Sequence, residues 1–222
     1  MLHEMWAMRI NAALGLGIAL AVSLASTVSR VAVAEETSSS EKLRVKSTRR
    51  SDFTIGTSGG FGFGRASGYP NEVQKIGDRS YRSTTQLAVG SGGLTWLGVA
   101  FNDYLTFGIG FGGFSLSGND RDASAGVFGF HIDAYPLFAV DHNLQDLGIF
   151  TNVGTGPLKI KGGPEEANGG LLSYVEGGVV YERWRLWRFG FGPSVSLLHM
   201  WSESAQVTGA LLGGRLAFYS GP

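Results

Sequence analysis

The chain has 222 residues, with 18 Lys and Arg against 18 Asp and Glu and no cysteine. That length allows one domain with a short appendage. The balanced charge gives no electrostatic case for a nucleic-acid partner, and the lack of thiols excludes disulfides and thiolate metal sites.

Residues 1–34 read as a signal peptide. Arg9 precedes an apolar run from Ile10 to Leu24, and Ala32-Val33-Ala34 before Glu35 fits the small-x-small cleavage pattern. The run is longer than the usual h-region, so an uncleaved anchor stays open as the alternative. Residues 35–51, EETSSSEKLRVKSTRRS, are polar and lack aromatics, and predict a disordered tail on the periplasmic side. Beyond them no apolar stretch approaches the ~20 residues a spanning helix needs. Any spanning elements are therefore strands, which lipid tolerates only in a closed barrel.

Residues 52–222 alternate with the two-residue period of strands. The first strand, 52–66, turns Phe53, Ile55, Phe61 and Phe63 one way and threonine, serine and glycine the other; a long polar loop, 67–90, follows, part of which is expected to extend the flanking strands because Leu87 and Val89 already alternate. The clearest pattern is Gly92–Leu116. Leu97, Val99 and Phe101 share a face with Leu105, Phe107, Ile109 and Phe111, while Gly98, Thr106, Gly108, Gly110 and Gly112 lie opposite. Apolar outside and small or polar inside is the signature of a barrel in lipid. Side-chain parity predicts a three-residue loop, Asn102-Asp103-Tyr104, that sets Val99 opposite Phe107 and Leu97 opposite Ile109.

A second outer loop covers 117–124. The fourth strand then turns Phe128, Phe130, Ile132 and Ala134 outward and Gly129, His131, Asp133 and Tyr135 inward. A longish inner connection, 136–146, leads to a fifth strand, 147–158, with Phe150, Asn152, Gly154 and Gly156 inward. After a third loop, 159–168, the sixth strand runs 170–182 with Tyr174, Glu176 and Glu182 inward. A turn at 183–188 sets Trp184 and Trp187 among three arginines, the composition of a membrane-interface anchor. The seventh strand begins at Phe189, a short loop covers 202–206 beside Trp201, a third interface anchor, and the eighth strand turns Leu212, Leu216 and Phe218 outward. The fold class is all-β: an eight-stranded up-and-down antiparallel barrel. A ten-stranded variant would split the first loop.

With these features together, the chain resembles the small eight-stranded outer-membrane barrels of Gram-negative bacteria, the OmpX, OmpW and OmpA-barrel type. The resemblance covers about residues 52–222 and rests on architecture. Its most specific local match is the last strand, LLGGRLAF, where Gly213, Leu216 and Phe218 resemble the signal read by the barrel-assembly machinery. Two positions depart from it: Leu211 stands where a polar residue is usual, and the chain runs on through Tyr219 to Pro222. The resemblance implies outer-membrane localisation, transient contact with that machinery, and lipopolysaccharide and the bilayer as surroundings.

The inward charged set, His131, Asp133, Glu176, Glu182 and Arg215, reads as a structural lumen cluster, because a narrow lumen forces buried charges to pair. Asp133, Glu176 and Arg215 are expected at similar depth. No catalytic, cofactor or metal site is assigned: His131 and Asp133 lack a third metal ligand, and the Gly runs lack the helix and lysine of a phosphate loop. His199, outward on the seventh strand, raises one alternative, an enzyme acting on lipid A; but the residue two along is Trp201 rather than serine, which misplaces the nucleophile. The reading leans to a non-enzymatic barrel whose outer loops serve surface interaction or envelope integrity, their ligand open. A narrow channel for small apolar molecules is the third possibility.

Overall fold

The computed structural model describes residues 49–118, 120–140, 142–162 and 165–221. The expected signal peptide, and the tail up to residue 48, lie outside them. Ten strands form the sheet: β1 (Asp52–Gly68), β2 (Ser83–Thr84), β3 (Ala88–Asn102), β4 (Leu105–Ser117), β5 (Asp122–Ala134), β6 (Leu147–Lys161), β7 (Ala167–Tyr181), β8 (Trp184–Leu186), β9 (Phe189–Trp201) and β10 (Ala205–Tyr219). Eight are long, each antiparallel to its neighbours, and β10 pairs with β1 to close a barrel. A single 3₁₀ turn, Arg79–Tyr81, lies in the longest loop.

The register fixes the barrel's geometry. From Ile55, paired residues run through Leu97, Ile109, Phe130, Val153, Val175, His199 and Thr208 and return to β1 at Arg65. The offset is 65 − 55 = 10 residues around eight strands. A stagger of that size requires strands tilted by about 35–45°, and eight strands at that tilt leave an interior only as wide as the side chains that fill it.

Alternation gives the wall two faces. The outward set is apolar and open, with Phe61 at 79% exposure, Leu212 at 70% and Leu197 at 67%. The inward set is buried at its large side chains and half-buried at several small ones such as Ser58 and Ser194, and it is itself divided by height. Between mid-barrel and the loop end the filling is apolar, from Leu94, Leu158, Ile160, Leu172, Met200 and Val207. Towards the end that holds residues 49–52 and 219–221 it is polar and charged, with Trp96 and the rings of Tyr135 and Tyr219 among the charges.

Three local features differ from expectation. The β3–β4 connection is a two-residue turn, Asp103-Tyr104, closed by the pair Asn102↔Leu105, and a bulge at Phe101 restores parity so that Val99 still meets Phe107. Asn102 caps it, its Oδ1 accepting from the amides of Tyr104 and Leu105 at 2.9 and 3.0 Å. The expected turn at 183–188 contains a strand, β8, which pairs with β9, so only Trp187-Arg188 turns; Trp187 takes a left-handed φ of 56° there. β6 also reaches further up than expected, continuing to Lys161, while β3 begins at Ala88, inside the segment expected to extend the flanking strands. Ile160 continues the inward face of β6 where the sequence suggests a loop.

Candidate functional site: the filled lumen and the loop platform

The inward charges meet in one network near the terminal end of the barrel. Arg215 on β10 reaches across the lumen and donates both NH groups to the two carboxylate oxygens of Asp133 on β5, a bidentate pair buried on both sides. His131 Nε2 lies 3.0 Å from the same carboxylate, and its ring stacks on Trp96 at 4.1 Å between centroids. The Arg215 guanidinium also lies over that indole, at 4.4 Å. Trp96 thus packs against both side chains that meet the Asp133 carboxylate.

Glu182, in the irregular link between β7 and β8, is the second centre. Its Oε2 accepts from Tyr135 and Tyr219, both at 3.0 Å, and its Oε1 from Arg185 at 2.8 Å. Glu176 stands apart from Arg215. It accepts from the Tyr174 hydroxyl and, at 2.7 Å, from Asn152, which bridges it to His131 Nδ1 at 2.6 Å. The expected common depth of Asp133, Glu176 and Arg215 therefore holds for one pair, while Glu176 joins through an amide relay higher in the lumen.

Arg50 is the member that sequence reasoning missed. It falls in a segment whose composition signals solvated chain, yet its side chain is fully buried in the terminal mouth. It bonds Asp146 at 3.0 Å, lies 3.6 Å from Glu182 and stacks on Tyr135 at 3.5 Å. Asp103 Oδ1 holds its backbone, accepting from the amides of Arg49 and Arg50 at 2.6 and 2.8 Å. Arg49 adds a second ion pair to Asp146 at 3.2 Å. The β5–β6 connection completes this closure with buried Phe138, Gln145 and Asp146. Burial alone would depress the Arg50 basicity, but Tyr135, Glu182, Tyr219 and Asp146 together raise it, and the guanidinium stays charged.

The interior leaves a cavity of about 20 Å³ at mid-height, beside Tyr174, Glu176, Ser194 and Ser196. That is room for about one water. At the other end the loops tie together. Lys75 bridges Glu72 and Glu165 at 3.1 and 2.6 Å, Tyr69 N donates to the Ser204 carbonyl at 2.8 Å, and Arg121 reaches the Thr84 carbonyl at 3.3 Å. The 3₁₀ turn is capped by Asp78, whose Oδ1 accepts from the Ser80 amide at 3.0 Å and hydroxyl at 2.8 Å. Those bonds hold the Asp78 carboxyl below its ordinary value.

His199 sits outward on β9, its Nδ1 2.7 Å from Thr208 Oγ1 and its ring stacked on Trp201 at 5.3 Å. Among the described residues no carboxylate pairs with it, and Ser202 donates instead to the Gly169 carbonyl at 3.2 Å. The described residues hold no group of three metal-ligating side chains. Trp184 and Trp187 lie exposed at the terminal end, with Trp184 stacked on Phe191 at 5.8 Å and Trp187 against Phe189 and Phe218.

No protein-family model matches the chain, and no curated protein matches it by sequence. Among solved structures the chain is similar to Neisserial surface protein A, at 11% identity over 75% of this chain and 96% of that one, with a TM-score of 0.46. It is also similar to Ail, the attachment invasion locus protein of Yersinia pestis (10% identity, 73% and 98% covered, TM-score 0.42). A third is the outer membrane protein OprG from Pseudomonas aeruginosa (11%, 78% and 98%, 0.39). The barrel architecture rests on the chain's own strand register.

Proposed function

We propose that the chain is an integral outer-membrane barrel with a closed lumen, without enzymatic activity, whose knitted outer loops make its contacts. The observation that carries this reading is the inversion of burial. A belt of exposed Phe, Leu, Val and Ile surrounds a wall whose inner side holds Asp133, Glu182, Arg50 and Arg215 at 4% exposure or less. In water such a belt would be an aggregation hazard of unusual extent, whereas in lipid it is the favourable solvent contact. The short turns Asp103-Tyr104 and Trp187-Arg188 then face the periplasm, and the platform around Lys75 and Asp78 faces outward, towards lipopolysaccharide. Export by the expected signal peptide and insertion by the barrel-assembly machinery belong to the same proposal.

Interior filling favours a structural or surface role over a channel, because a solute would have to displace a buried ion network at one end and an apolar core at the other. The partners of His199, Thr208 and the Trp201 ring, likewise favour an interfacial girdle over chemistry on lipid A. Electrophoresis of the outer-membrane fraction with and without boiling tests the reading. Faster migration of the unboiled protein is expected; recovery as a soluble periplasmic species would overturn it.

A further inference from the structure

Among the described residues, Glu176 is the buried carboxylate that no basic side chain meets. The guanidinium groups inside the barrel are committed elsewhere: Arg215 to Asp133, Arg50 to Asp146 and Glu182, and Arg185 to Glu182. His131 meets Asp133 through Nε2 and reaches Glu176 only through the neutral amide of Asn152. Glu176 is nevertheless 6% exposed, and the two bonds it accepts, from the Tyr174 hydroxyl and from Asn152, converge on Oε2. Its Oε1 takes neither.

The cavity of about 20 Å³ lies against this side chain. On the neighbouring strand β9 the register sets Ser196 opposite Gly178 and Ser194 opposite Val180, so the two serines take the next inward positions beside Glu176, towards the terminal end. Both line the cavity, Ser196 is as buried as Glu176, and neither hydroxyl enters a side-chain hydrogen bond among the described residues. Further round the wall Gly213 pairs with Gly60 and Gly60 with Gly92, three inward positions that put no side chain into the space. A carboxylate charge held this deep without a cation is costly, and a water molecule, being neutral, leaves it uncompensated. The volume admits one particle the size of a water. Oxygen donors of which one is charged suit a hard monovalent cation, whereas Ca²⁺ takes about six to eight oxygens and brings more charge than one carboxylate balances.

We propose that this cavity is a monovalent-cation site, holding Na⁺ between Glu176 Oε1 and the hydroxyls of Ser194 and Ser196. The ion neutralises the one buried charge that the chain leaves open, while Oε2 keeps Tyr174 and Asn152. The site belongs to the lumen, so it is the same whether lipid or water surrounds the wall, and it stands independently of the membrane reading.

Refolding the purified barrel from urea into detergent, in sodium chloride or in choline chloride of equal ionic strength, tests it. The urea midpoint of the wild type is expected to be higher in sodium, by an increment that saturates with concentration, because an ion bound only by the folded state stabilises that state. Glu176→Gln keeps the shape of the side chain, removes its charge and loses the increment, whatever its own midpoint. Ser196→Ala leaves the bonds from Asn152 and Tyr174 in place and is expected to need about tenfold more sodium for half the increment. Each variant is first checked for the boiling-dependent shift, and if Glu176→Gln lacks it, Ser196→Ala carries the test alone. Equal wild-type midpoints in the two salts overturn the proposal, leaving a water in the cavity and His131, through Asn152, to balance the carboxylate. An increment undiminished in the variants overturns it as well, since sodium then acts on acids outside the lumen.

Discussion

At the residue scale, the lumen is governed by how few ways a buried charge can be satisfied. Asp133 and Arg215 are each almost wholly buried and answer one another directly. Asp133→Ala leaves the buried guanidinium with only the more distant Glu182, 3.8 Å from its Nε, and we expect it to cost about 3 kcal/mol in unfolding by urea from detergent or lipid. Inward glycines are equally constrained. A methyl at Gly56 would sit inside the Trp96 indole, so Gly56→Ala is expected to lose about 1–3 kcal/mol, while Gly214→Ala, which meets only ordinary contacts, stays near neutral in the same assay. On the platform, Asp78 has a carboxyl depressed by the Ser80 amide and hydroxyl. A depressed carboxyl contributes stability above its unfolded value, and that contribution is lost as the pH falls through the folded value. The protection of the Ser80 amide, taken relative to the intrinsic exchange rate at each pH, should therefore fall as the pH drops below the ordinary aspartate range, and in Asp78→Asn that protection should be lower at neutral pH and change little with acid.

At the element scale, sequence alternation was enough to orient nearly every strand, because the outward face is so uniformly apolar. The β3–β4 hairpin shows the limit. Parity correctly demanded an odd residue between Phe107 and Val99, but it could not say whether that residue sat in the loop or in a bulge; the side chain of Asn102, capping two amides, decides for the bulge. Asn102→Ala should cost about 1 kcal/mol and loosen the Tyr104 and Leu105 amides in hydrogen exchange. The upper end of β6 was illegible for a different reason. Leu158, Ile160, Leu172 and Met200 are apolar and inward, so the contrast between faces fades where the lumen itself becomes a hydrophobic core. Arg50 left no local signal at all, since its partners Asp146, Glu182 and Tyr135 lie 85 or more residues away in the chain. The charged residues inside were visible as a set from their phase, and their division into an Asp133 centre and a Glu182 centre emerged only from the closed register.

At the scale of the whole molecule, a stagger of ten on eight strands fixes the width, and the width decides between a filled barrel and a pore. Vesicles carrying the purified protein should release small solutes no faster than empty ones. A stepwise conductance above the lipid background would show that the lumen opens. The terminal closure has a further consequence, for the order of assembly. The site that receives Arg50 is built from Asp103, the β5–β6 connection, Glu182 and, through Tyr219, the last strand. It does not exist until the chain's two ends have met, so the N-terminal arginines, although synthesised long before β10, are among the last side chains to find their place. Arg50 acts in this sense as a latch that engages only behind a completed barrel.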